Sequence, residues 1–210
     1  AGMGLSYDLT YPLALGYRPP FTRKRPGVYT AVGKWNAGGI QVKFELLPLK
    51  PEDIPLFKRD LQEAFQQGAT FEYSNLDEQV LPEQDIDASL SEKGSVAYVA
   101  MEGDQIVGGI IVVINEITQH NRLDFLYVKH GLQSRGTGRK IWEQVEQLHG
   151  NTKSWETVTP YFDKRNVHFY INRCGFSAVE FYNPYHKDPR DSGDAVGEDS
   201  LFRLVKVMKT

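Results

Sequence analysis

Two glycines, Gly136 and Gly138, stand at the threshold of a good helix in the stretch LYVKHGLQSRGTGRKIWEQVEQL, residues 126–148. Inside a helix each costs about 1 kcal/mol relative to Ala, so a chain that keeps both must use what they give. A helix N-terminus presents backbone N–H groups without intrahelical partners, at the positive end of the helix dipole. Glycines clear side chains from that approach, and an anion such as phosphate can then sit on the amides. On one side RLDFLYV, residues 122–128, is apolar, aromatic and β-branched, as a strand requires; on the other, Ile141, Val145 and Leu148 recur at helical spacing. The unit reads as strand, phosphate loop, helix. Arg135, Arg139 and Lys140 add positive charge that suits a polyphosphate. A plain glycine-rich turn is the alternative.

The rest of the chain from Ile40 onward is regular. IQVKFELLPL alternates like a strand, and KPEDIPLFKRDLQEAFQQG reads as a helix with Pro51 in its first turn and an end near Gly68. PEQDIDASLSEKG allows a second short helix, and SVAYVAMEGDQIVGGIIVVINE is a hairpin turning at Gly103-Asp104. After the phosphate loop, SWETVTPYF reads as a strand and DKRNVHFYINRCGF as a helix started by Asp163 and ended by Gly175. FSAVEFYNPY and SLFRLVKVM read as two final strands. The predicted order is β, α, α, β, β, β, α, β, α, β, β.

Residues 1–41 are different. Prolines 12, 19, 20 and 26 and many aromatics break any period, and Arg18, Arg23, Lys24, Arg25 and Lys34 oppose Asp8 alone. This basic, aromatic extension, whose opening Ala1-Gly2-Met3-Gly4 resembles a vector remnant, is expected to pack on the domain's own sheet or on a second protomer. A homodimer is therefore among the expected assemblies. The division is 1–41 as extension and 42–210 as one domain, since 210 residues at 40% hydrophobic content suit one well-buried core. A net charge of -3 and an arm with few cations give little ground for a nucleic-acid partner, although that attachment is a third reading of the arm. One cysteine, Cys174, excludes an intrachain disulfide and a cysteine metal site, and no His pair has metal spacing, so no metal is expected. The longest apolar run, IVGGIIVVI, is too short for a membrane span. With no signal pattern at the start, a cytoplasmic, membrane-free protein is expected.

Gln133-Ser134-Arg135-Gly136-Thr137-Gly138 fits in full the pyrophosphate loop of the GNAT acetyltransferases: Gln or Arg, two residues, Gly, one residue, Gly or Ala. With the hairpin before it and NVHFYINRCGF after it, the chain resembles that superfamily over about 42–209. The resemblance implies the GNAT fold, α/β of the α+β kind, with a mixed, mostly antiparallel sheet of about six to seven strands flanked by about four helices. It implies acetyl-CoA as co-substrate and direct transfer of acetyl to a primary amine. Gln133, Ser134, Arg135, Gly136, Thr137, Gly138 and Arg139 would hold the pyrophosphate, and Asn166 would bond the cofactor or else stand as an ordinary polar helix-start residue. Leu126, Tyr127 and Val128 would pair with the pantetheine arm and offer an amide to the thioester oxygen. The strand at 154–161 should splay away to admit it.

Attack requires a neutral amine, and an alkyl amine of pKa near 10.4 is protonated at neutral pH. Asp124, on the strand entering the loop, is the candidate base, against the plainer reading of an outward-facing carboxylate beside Arg122; Glu116 is a weaker alternative. The resemblance assigns Tyr170 as the acid for the departing thiolate, against simple packing. One departure from the family is that Tyr170 precedes Gly175 by five residues rather than the usual four, and one residue is about 100° of helix. Cys174 reads as a packed thiol. Trp142 and Trp155 read as packing residues. Residues 60–92 carry nine acids and no Lys or Arg, and the segment HKDPRDSGDAVGEDS is also acidic. Both should border the acceptor, which points to a polyamine, an aminoglycoside-like amine or a lysine side chain, or else to solvated surface. A GNAT-like module that binds acetyl-CoA without transferring it is the competing class.

Overall fold

The computed structural model describes residues 29–31, 43–72, 80–133, 136–189 and 200–209, with 29–31 and 69–72 described by backbone alone. The elements are β1 (Tyr29–Ala31), β2 (Phe44–Pro48), α1 (Ile54–Glu72), α2 (Glu83–Ser91), β3 (Ser95–Glu102), β4 (Gln105–Val113) and β5 (His120–Val128). Then follow α3 (Thr137–Leu148), β6 (Ser154–Pro160), α4 (Lys164–His168) running into a π-helical segment (Phe169–Cys174), β7 (Ser177–Tyr182) and β8 (Leu201–Val207). The predicted order is present, with β1 added in front.

All strands join one sheet in the order β1-β2-β3-β4-β5-β6-β8-β7. Every pairing is antiparallel except β5 with β6. The sheet is therefore mixed and mostly antiparallel, with β1 as an eighth strand from the N-terminal extension, Tyr29 facing Leu46. The remainder of 1–41 lies outside the described residues. Gly103, at φ +63°, turns the β3–β4 hairpin as expected.

The two faces of the sheet carry two cores. Toward α3 and the π segment lie Leu46, Tyr98, Ile110, Leu123, Trp142, Trp155 and Leu204, with the two tryptophan rings 5.2 Å apart. Toward α1 and α2 lie Phe57, Leu61, Ile86, Val99, Ile111 and Tyr127. Period 2 in the strands sorts alternate residues to the two faces, and both faces are apolar at the centre of the sheet because helices cover both. Gly109 allows close contact on the α1 side: a Cβ there would come within 2.4 Å of the Phe57 ring and 2.7 Å of the Tyr127 ring.

One boundary differs from expectation. Helix α1 passes through Gly68 and ends at Glu72. Gly68 does not take the positive φ of a helix-terminating glycine, and a glycine with helical φ costs about 1 kcal/mol without ending the helix.

Candidate active site

The site is built where β5 and β6 part. Their parallel pairing comprises His120 with Ser154, Asn121 with Trp155 and Arg122 with Glu156, and nothing further along. Beyond that fork the β6-facing edge of 123–128 has no strand partner among the described residues, while its other edge stays paired to β4 through Ile110–Leu126, Gly109–Tyr127 and Gly108–Val128. The splay expected between the two strands is thus present. Past the fork on β6, Thr157 and Thr159 are buried, and Thr159 Oγ1 has no hydrogen-bond partner among the described residues.

Asp124 sits on a β-bulge. Ile111 faces Phe125 and Val112 faces Leu123, so Asp124 has no cross-strand partner of its own. The extra residue breaks the alternation, and Asp124 and Phe125 both turn toward α1 and α2, where Phe65 meets Phe125 at 5.8 Å and Ser89 Oγ donates to Asp124 Oδ2 at 2.6 Å. Arg122 donates Nε to Oδ1 at 2.5 Å and Nη2 to Oδ2 at 3.1 Å, and it also pairs with Glu92. Asp124 is indeed beside Arg122, yet it is nearly buried, at 10% side-chain exposure. The carboxylate accepts three hydrogen bonds of the about four it can take. Glu116 is exposed, in the turn between β4 and β5, at the end of β5 away from the gap.

At the mouth of the gap the chain turns into α3. Gly136 is the N-cap, at φ +77°, a left-handed conformation that Gly adopts without steric cost. Gly138 serves packing: a Cβ there would lie 3.3 Å from the Phe169 ring and 3.4 Å from Val128 Cγ2. No side chain caps this helix, and its first turn has no acid but carries Arg139 and Lys140. Cations at a helix N-terminus oppose its dipole; an anion there reverses the sign. Arg139 pairs with Glu143 at 2.7 Å and Lys140 with Glu102 at 3.6 Å. Gln133 stays within its own loop, its Nε2 donating to Val128 O at 3.4 Å and its Oε1 accepting the Gly131 N–H at 3.1 Å. Ser134 and Arg135 lie outside the described residues. The parted strands, the clear Gly136 cap and the unpaired Thr159 hydroxyl fit an elongated cofactor ending in a phosphate.

Tyr170 lies in the π-helical segment. The wider turn holds one more residue than an α turn, which accommodates the five-residue spacing to Gly175: the Gly175 N–H and the Phe176 N–H both donate to Tyr170 O. Sequence reading took 163–175 as one plain helix; its start is α-helical, with Asp163 Oδ1 accepting the Asn166 N–H at 2.8 Å, and its second half is not. The Tyr170 ring packs against Phe169 and Phe176, and its hydroxyl hydrogen-bonds Thr157, the first β6 residue past the fork. Burial holds this phenol well above the usual tyrosine range, so it keeps its proton at neutral pH. Cys174 is buried, and burial pushes its thiol up to about 12. It is a packed thiol.

Of the acidic run, Glu83 and Asp87 pair with Lys58, Glu92 with Arg122, and Asp60 is buried against Lys129. Asp77, Glu78 and the segment 190–199 lie outside the described residues. Sequence reading missed the bulge at Asp124, the π segment, and the partners Ser89 and Thr157. The two breaks in period left weak traces, an apolar pair where alternation was due and a one-residue excess before Gly175.

A mixed sheet whose parallel central pair forks above an uncapped helix N-terminus defines an acyl-CoA-type acyltransferase fold. The Acetyltransferase (GNAT) domain family matches residues 59–185, and the chain belongs to the GNAT acetyltransferase family. An uncharacterized protein of Bacillus subtilis (strain 168), YrkN, is 39% identical over 168 residues, 76% of this chain and 91% of that protein. Similar folds include an IAA acetyltransferase from Bacillus cereus ATCC 14579, with TM-score 0.57, 17% identity, and coverage of 79% of this chain and 99% of that one. An acetyltransferase from Bacillus subtilis in complex with CoA gives 0.55, 17%, 80% and 100%. Spermidine N-acetyltransferase from Vibrio cholerae, in complex with CoA and spermine, gives 0.56, 13%, 78% and 95%. Among the described residues no helix is long and apolar enough to cross a membrane, and no three metal-ligating side chains gather as a metal site requires.

Proposed function

We propose that this GNAT acetyltransferase takes acetyl from acetyl-CoA held in the β5–β6 gap and passes it to a primary amine on a cationic acceptor. The observation that carries the reading is the fork after Arg122 and Glu156, with an acid-free, uncapped helix start at its mouth. When bound, acetyl-CoA supplies the activated acetyl group. The amides of 136–139 would hold its pyrophosphate, with Arg139 and Gln133 beside them. The free edge of 126–128 orients the pantetheine arm and presents an N–H to the thioester oxygen, and Asn166 bonds the cofactor from α4.

Asp124, aimed by its bulge and clamped by Arg122 and Ser89, has one acceptor position left, which receives the proton of the incoming amine. Tyr170, protonated through burial, holds the proton for the departing thiolate. A cationic acceptor is supported by the sheet face beside the gap, where Asp124, Glu92, Glu156 and Glu180 outnumber Arg122 and Arg203, their partners. The spermidine enzyme of similar fold is in keeping with this class.

Calorimetric titration with acetyl-CoA, followed by thiol release against polyamines, aminoglycosides, lysine peptides and neutral amines, tests the reading. Binding with turnover on a cationic class is expected. Preference for a neutral or acidic acceptor would overturn the substrate class, and binding without turnover on any amine would favour a binding module.

A further inference from the structure

Among the described residues Asp60 is a buried acid with no part in the proposed chemistry. Asp60, on α1, has 2% side-chain exposure, and its Oδ2 lies 3.0 Å from Lys129 Nζ. A charge this far from water is costly to keep unless its partner stays in place. Lys129 is where β5 becomes the phosphate loop. Its N–H donates to Val107 O at 2.9 Å, continuing the β4–β5 ladder, and its carbonyl accepts the Leu132 N–H at 3.1 Å, the first turn toward Gly136. Two residues earlier, Tyr127 faces the same helix. Its ring meets Phe57 of α1 edge-on at 5.3 Å, and burial, then the charge of Asp60, raises its phenol above the usual range. Helix α1 therefore grips the end of β5 at two positions on one face, one apolar and one ionic.

We propose that Asp60 and Lys129 are positioning residues for the donor: their ion pair ties the start of the phosphate loop to α1, and so sets how well the loop and the N-terminus of α3 meet the cofactor's phosphates. The inference rests on the donor reading above. Alternatives for the pair are a purely structural strut between α1 and the sheet, or an acid facing the acceptor; the second is at odds with its burial.

A variant that removes both charges, Asp60→Leu with Lys129→Met, separates these roles, because replacing both members of a buried pair with apolar groups leaves stability nearly unchanged. Full-length protein is titrated with CoA by calorimetry and melted in parallel. The expected result is a near-native melting temperature with CoA affinity weaker by about fivefold to tenfold, the low end of the range for coupled sites. Lys129→Arg, which keeps the ion pair, should restore most of that affinity. Native affinity in a double variant of native stability overturns the inference. Should the double variant fail to fold, Asp60→Asn is decisive, since Lys129, at 34% exposure, can turn to water; unchanged CoA affinity there overturns the inference equally. Parent protein that does not bind CoA overturns the donor reading, and this one with it, whereas parent binding with unaffected variants overturns this one alone.

Discussion

Tyr170 and Asp124 divide the proposed chemistry because their surroundings differ. Tyr170 is sealed among aromatic rings, which disfavours the phenolate and makes the group a donor. Asp124 is reached from three directions by donors, which fixes its oxygens in space and leaves one position open. Tyr170→Phe should lower turnover by about 10²-fold, the low end of a general-acid contribution, while CoA affinity measured by calorimetry stays at the parent value. Equal turnover would return Tyr170 to a packing role. The residue types at these positions were legible in the sequence. Their directions were not, because each lies at a break in period, one a bulge and the other a π turn, where one extra residue reverses what spacing implies.

At the scale of elements, the contact that matters most is between the first turn of α3 and the π segment. Gly138 lets Phe169 approach to where a Cβ would stand 3.3 Å from its ring, and Val128 closes the same space from β5. Gly138→Val would gain helix propensity but drive two methyl groups into that contact. It should destabilise the protein by about 1–3 kcal/mol, the cost of overpacking, read as a lower urea midpoint. A neutral substitution would mean that Phe169 moves aside freely. Strand–loop–helix here was legible from the glycines and the flanking periods. The termination of α1 was misjudged at Gly68, since propensity is a weak prior: Gly68, without a positive φ, lowers helix stability but does not end the helix.

Across the whole molecule, His149 links three elements at the base of the larger core. It follows α3 and lies 3.0 Å, ring nitrogen Nε2 to hydroxyl, from Tyr98 of β3, and its ring meets Trp155 of β6 edge-on. Burial holds its pKa below the ordinary value. The unfolded chain therefore binds its proton first as pH falls: the contribution of neutral His149 is full above about 6.5 and is lost as the pH drops from there through the folded value. The denaturation midpoint should fall between pH of about 7.5 and about 5.5, and His149→Gln should flatten that slope. An equal slope in the variant would assign the loss to other groups.

By itself the sequence determined the order of elements, the glycine-bearing strand–loop–helix unit and the family, because apolar period, glycine position and capping residues are local properties that each segment carries alone. Only the tertiary structure decided where β5 leaves β6, that Asp124 faces Ser89 and Arg122, that Tyr170 meets Thr157, and that most described acids of the 60–92 run are spent on Lys58, Arg122 and Lys129. Several of those pairings join residues far apart in sequence, Ser89 and Asp124 by 35 positions and Arg122 and Glu92 by 30. Charge runs and strand alternation carry no information about which distant partner folding will bring alongside.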